Sequence, residues 1–221
     1  MVVTFHGPRV AKTHSGFFFM KRSIFLIDGF NFYHSINTPQ YYKYKWLDFS
    51  KLATLLIKGK ETIVGIYFFT AFAYWNQDKT KRHDILIKAL ESVGVETVYG
   101  QFKEKDILCH ICNRWFSKHV EKQTDVNIAT YLFKLAAKDL YDRAYIISGD
   151  SDLVPAISAI KELYSDKEIG IVIPFGRHTH LLKNICDFKI RLRTRALDLC
   201  IFSEEIILND GTKLVRPSSW S

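Results

Sequence analysis

Two aspartates stand one residue apart, Asp150 and Asp152, inside the stretch "AYIISGDSDLVPAI" that runs from 144 to 157. Apolar, β-prone residues lead into the small-residue turn Ser148-Gly149, and an apolar segment of helical character follows. A buried strand and a tight turn need no paired carboxylates at their junction, so the pair invites a chemical reading. Two further aspartates belong with it. Asp28 closes the apolar run "SIFLID" and opens "DGFN"; Asp125 lies in "EKQTDVNIAT", one residue after Thr124, which suits a helix N-cap. Singly, each has a structural explanation, since a carboxylate at a helix start contributes about 0.3–1 kcal/mol and aspartate is a common turn residue. Together they do not. Two carboxylates about 5 Å apart repel by roughly 3 kcal/mol at an effective dielectric near 20, several times what capping returns. A cluster of them is tolerable when protons or a divalent cation neutralise it. Hard oxygen donors without histidine or thiolate favour Mg²⁺ or Mn²⁺, and such an ion can activate water against a phosphodiester.

The elements that must position these acids follow from the periodicity. Short apolar runs at 23–28, 62–69, 95–102, 144–148 and 168–174, with a last short strand "FKIRL", alternate with helical patterns near 30–36, 49–58, 80–93, 125–140, 152–163 and 178–186. Asp48 and Gly59 bracket the second helix, and Gly94 stops the third. Strands alternating with amphipathic helices predict a doubly wound α/β domain, with a mainly parallel sheet of order about 3-2-1-4-5 and helices on both faces. In such sheets ligands bind beyond the carboxyl ends of the strands, where the winding reverses. Asp28 and Asp150 then fall at neighbouring strand ends and are the natural direct ligands. Asp125 and Asp152 complete the shell, directly or through water. Asn31 could hydrogen-bond an aspartate or the scissile phosphate, and Ser148 reads first as a tight-turn residue. Residues 1–19 lack sustained periodicity and read as a poorly anchored tail, with Met20 a natural-looking start; 20–221 read as one domain with a C-terminal extension from about 196.

The 221 residues carry a net charge of +8, which points to an anionic partner, nucleic acid first. Basic residues cluster at 79–83 and 191–195 and again at Arg177, His178, His180 and Lys183. "YYKYKW" (41–46) interleaves Lys43 and Lys45 with aromatic rings, a mixture suited to single-stranded nucleic acid. The same stretch could serve a second copy of the chain, leaving a homodimer open. No run of residues approaches the roughly 20 apolar positions of a membrane span, and "FFFMKRSIFLI" is broken by Lys21 and Arg22. With four cysteines and no disulfide pattern, the expected setting is the reducing cytoplasm. Cys109 and Cys112 form a CxxC, half of a structural Zn²⁺ site, with His119 a candidate further ligand. Cys186 and Cys200 fall on apolar segments and read as core. There is no GxxxxGK[ST] loop and no GxGxxG, and the first strand lacks the DxD of haloacid-dehalogenase phosphatases and the glutamate of Toprim sites.

Three blocks, "FLIDGFNFY" (25–33), "EKQTDVNIAT" (121–130) and "DRAYIISGDSDLVPAI" (142–157), resemble the defining blocks of NYN-domain proteins, PIN-like ribonucleases, most closely their LabA-type bacterial branch. The resemblance covers about residues 21–195. It implies a PIN-like fold and metal-dependent endoribonuclease chemistry on single-stranded or loop RNA. It further implies that Asp28, Asp125, Asp150 and Asp152 are the acidic metal-binding positions and that Asn31 is the polar helper. A regulatory protein that binds RNA in the same crevice without turnover is the alternative, and action on DNA a weaker one.

Overall fold

The computed structural model describes residues 20–177 and 179–220; the tail expected over 1–19, and His178, lie outside the described residues. The central sheet has six strands in the order β3-β2-β1-β6-β7-β8, every neighbouring pair parallel. They are β1 (Lys21–Asp28), β2 (Glu61–Thr70), β3 (Glu96–Tyr99), β6 (Arg143–Ile147), β7 (Glu168–Ile173) and β8 (Phe188–Arg191). Between β3 and β6 comes an antiparallel ribbon, β4 (Gln101–Leu108) and β5 (Trp115–Lys122); a second ribbon, β9 (Glu205–Ile207) and β10 (Lys213–Val215), follows the sheet.

The period-two alternation of β1 and β6 divides the core into two layers. Phe25, Ile27, Tyr145 and Ile147 face α1 (Gly29–Ser35), α2 (Phe49–Leu56) and α3 (Gln77–Ser92), where Phe32, Leu52 and Leu90 are buried. Ile24, Leu26, Ala144 and Ile146 face α4 (Thr124–Ala137), α5 (Val154–Leu163) and α6 (His180–Ile185), against Ile128, Leu132, Ile157 and Leu182. The connection from β1 to β2 runs on one face and that from β6 to β7 on the other, so the winding reverses between β1 and β6. The switch point expected from the strand order is therefore at that pair. After α7 (Thr194–Asp198), the C-terminal segment packs Trp220 and Leu214 against Trp46 and Ala89.

Three readings of the sequence change. The strand expected over 95–102 ends at Tyr99; Gly100 breaks it, and β4 runs on away from the sheet. The cysteine loop is the tip of the β4–β5 ribbon, closed by Asn113 in the left-handed region (φ 50°). Thr124 is the first residue of α4, not its cap. Gln123 precedes it at φ 79°, and the Thr124 amide and hydroxyl both donate to the Glu121 carboxylate.

Candidate active site

Asp28 closes β1 and is 3% exposed. Its Oδ1 accepts from the Asn31 backbone amide at 2.8 Å, capping α1, and its Oδ2 accepts from Ser148 Oγ at 2.8 Å. Ser148, fully buried just beyond β6, also accepts from the Asp150 amide at 3.1 Å. Asp150 Oδ1 caps the turn Ser151–Leu153 by accepting from the Asp152 amide at 3.0 Å. The Asn31 side-chain oxygen accepts from the Gly149 amide at 2.9 Å and so ties α1 to the same turn. A carboxylate oxygen that accepts one hydrogen bond keeps a further lone pair, so capping and ligation do not exclude each other.

Two glycines make these approaches possible. A Cβ at Gly29 would stand 2.7 Å from the Phe69 carbonyl oxygen, and one at Gly149 would stand 2.8 Å from Arg177 Cβ. Neither neighbour is the loose end of a side chain, so both positions require the missing Cβ.

Asp125 enters from the other layer, in the first turn of α4. Burial pushes its carboxyl up to about 6, and the negative charges of Asp28, Asp150, Glu121 and Asp152 add to the rise. Burial likewise raises Asp28 to about 6, against the Asn31 amide and the Ser148 hydroxyl that hold it down, with Asp150 and Glu121 adding to the rise. The charges of Asp28, Asp150 and Asp152 thus reach Asp125 from one neighbourhood at the switch point. Glu121 belongs to it as well and was missed; it lies at the end of a strand that the sequence was not read as forming.

The donor chemistry suits a hard divalent cation. Among the described residues no three histidine, cysteine or acidic side chains are gathered closely enough to hold a metal ion as they stand. Mg²⁺ asks for less than that, because it is usually bound through one or two carboxylates and keeps several waters. Asp28 and Asp150, at the ends of adjacent strands and linked by Ser148 from the Asp28 carboxylate to the Asp150 amide, fit that requirement.

The expected zinc trio is not assembled. His119 pairs with Glu104, four residues down β5 from Trp115 at the ribbon tip, about 13 Å at strand rise. Its ring stacks on Trp75 at 3.7 Å, while Cys109 and Cys112 remain at the tip as free thiols.

The expected RNA-contact residues separate. Arg177 lies against Gly149, and its Nε is buried without a hydrogen-bond partner among the described residues. With Arg191 and Arg193 it lines a cavity of about 390 Å³ beyond β7 and β8. Lys183 sits in the last turn of α6, which packs beside the Ser151–Leu153 turn. Lys43 is paired with Asp198 at 2.7 Å. "YYKYKW" is not an open stacking surface, since Tyr44 and Trp46 are buried and Tyr41 stacks on Phe175. Lys45 is 8% exposed and turns inward, its ammonium over the Tyr42 and Tyr33 rings. It borders a larger cavity of about 500 Å³ whose lining includes Gly29, the residue after Asp28, and Glu121.

A mainly parallel sheet in this order, with helices on both faces, is the fold of the PIN-like nuclease superfamily. The chain matches the NYN domain over residues 22–192 and belongs to that family. Among curated proteins it is similar to 6-hydroxy-3-succinoylpyridine 3-monooxygenase HspA of Pseudomonas putida, 26% identical, with 90% of this chain and 75% of that protein covered. Among solved structures it is similar to a protein of unknown function from Vibrio parahaemolyticus, with a TM-score of 0.56 and 17% identity over 83% of this chain and 97% of that one. The second likeness concerns the fold alone.

Proposed function

We propose that this NYN domain, of the LabA-type branch, is a Mg²⁺- or Mn²⁺-dependent endoribonuclease that cuts single-stranded or loop RNA in the cytoplasm. The observation that carries the reading is the hydrogen bonding that ties Asp28 to the Asp150 turn through Ser148 and Asn31, with Asp125 close enough to feel the charges of Asp28, Asp150 and Asp152. Asp28 and Asp150 would hold the ion directly, and Asp125 and Asp152 would hold it through water. A divalent ion bound there supplies an activated water and charge neutralisation on the phosphoryl oxygens. The chain's own residues do the rest. Ser148 and Asn31 fix the two carboxylate-bearing turns relative to each other. The buried, unpartnered Nε of Arg177, beside Gly149, is a donor suited to a phosphate oxygen. The cations at Arg191 and Arg193 continue the path for a strand.

Incubation of circular single-stranded RNA with Mn²⁺, Mg²⁺ or EDTA tests this reading. Linear products that appear with either metal and vanish in EDTA support it. Bound but intact circles in every condition would replace it with the non-catalytic RNA-binding role.

A second reading follows from the Pseudomonas relative, whose name denotes an enzyme acting on an aromatic ring with an acidic side chain. The cavity of about 500 Å³ has aromatic walls and cations and suits a small aromatic acid too. Calorimetric titration with such acids separates the two.

A further inference from the structure

The cavity beside the carboxylates has a composition that neither metal binding nor the core explains. Three rings from distant segments meet in its lining. Trp75 meets Phe102 edge-on with centroids 4.6 Å apart, and Phe102 in turn meets Phe30 at 5.3 Å. The stack of Trp75 on His119 fastens the middle of the β4–β5 ribbon to this frame. At about 500 Å³ the space falls within the roughly 300–1,000 Å³ of small-ligand pockets.

Its charge is one-sided. Lys45, Lys79, Arg82 and Lys118 all reach the lining, and none has an ion pair among the described residues. Glu121 is the acid facing them, and it is engaged by Thr124. Burial, with Arg82 nearby, pushes the Lys45 ammonium down to about 8, the mark of a cation short of counter-charge. His83, hydrogen-bonded to Thr70 Oγ1 at 3.1 Å, is driven by burial to about 4 and offers a neutral polar edge. Flat apolar walls with cations that lack an ion pair suit an aromatic ring that carries an anion.

The position supplies the rest. Gly29 follows Asp28 directly, and Glu121 holds the first residue of the helix that bears Asp125. The lining thus includes the chain neighbour of Asp28 and the acid that holds the start of the Asp125 helix, while the four aspartates lie outside it. We propose that the cavity takes one nucleobase of the bound RNA, unstacked from its neighbours and gripped among Phe30, Trp75 and Phe102, with its phosphate against Arg82 and Lys79. The adjoining phosphodiester is thereby registered on the acidic site. This deepens the ribonuclease reading and rests on it for the choice of RNA.

The test is a walk of single abasic positions through a short single-stranded RNA, with binding to the full chain measured by fluorescence anisotropy in EDTA. Base–aromatic stacking is worth about 1–3 kcal/mol by alanine substitution, so one abasic position should weaken binding roughly 5- to 150-fold. Trp75→Leu should flatten that position's effect, and Trp75→Phe should restore it. A loss spread evenly along the strand, or one indifferent to Trp75→Leu, would overturn the proposal. So would saturable binding of nicotinate, a small aromatic carboxylate, that RNA does not displace. Because no metal is present, a localised abasic effect stands whether or not the RNA is later cut. Metal-dependent cleavage with an even abasic profile defeats the base cavity and leaves the nuclease reading intact.

Discussion

Ser148 Oγ donates to Asp28 Oδ2 at 2.8 Å, joining residues 120 positions apart across the switch point of the sheet. The same oxygen accepts from the Asp150 amide, so one buried hydroxyl sets the spacing of the two strand-end acids. The turn residue of the sequence reading is the fastener of the site.

Ser148→Ala should therefore cost both stability and activity. It leaves a buried carboxylate oxygen and a backbone amide without their partner, a loss of about 1–3 kcal/mol. Urea unfolding should show that drop, and RNA cleavage should fall because Asp28 and Asp150 are no longer held in register. Ser148→Thr, which keeps the hydroxyl, should recover part of the activity where its extra methyl is accommodated.

Asp28 has a definite pH signature in metal-free protein. Its carboxyl stands near 6 folded against 3.8 unfolded, so the folded state binds the proton more tightly. The stabilisation from that proton is complete below about pH 4 and is lost as pH rises through 6; two pKa units correspond to at most about 3 kcal/mol. Asp28→Asn removes the ionisation. With EDTA at pH 7.5 the variant should be about 1–2 kcal/mol more stable than the wild type, after one of the two hydrogen bonds is discounted. At pH 4 that advantage should disappear.

Metal should reverse the penalty. An ion that binds only the folded protein raises the melting temperature with concentration, and Mn²⁺ should do so here. Below about pH 6 protons on Asp28 and Asp125 compete with it, so apparent affinity should fall about tenfold per pH unit for each proton displaced. Asp125→Asn should reduce the thermal shift at pH 7.5. Calorimetric titration of Mn²⁺ at pH 5.5 and 7.5 provides the check.

Much of this site was legible because it depends on local signals. Strand-end acids, glycines in turns and the alternation of β1 and β6 are written within a few residues, and the strand order brought Asp28 and Asp150 together. What escaped depends on pairing at a distance. "QFKEKDIL" and "WFSKHVEK" are polar on both faces, so no apolar alternation marks β4 and β5; their ladder and the stack on Trp75 make them a ribbon. With the ribbon went Glu121, the aromatic frame and the placement of His119 far from the cysteines. Lys45 misled for the reverse reason. An aromatic-lysine stretch looks like a surface, and only the packing of Tyr44 and Trp46 turns it inward.

The most direct measurement compares the wild type with Asp150→Asn on end-labelled single-stranded RNA in Mn²⁺, with thermal melts showing both proteins folded. The carboxylate site predicts internal cuts by the wild type and a loss of at least about 100-fold in the variant, a change of roughly 2.7 kcal/mol in the barrier. Equal cleavage by the two folded proteins would contradict it.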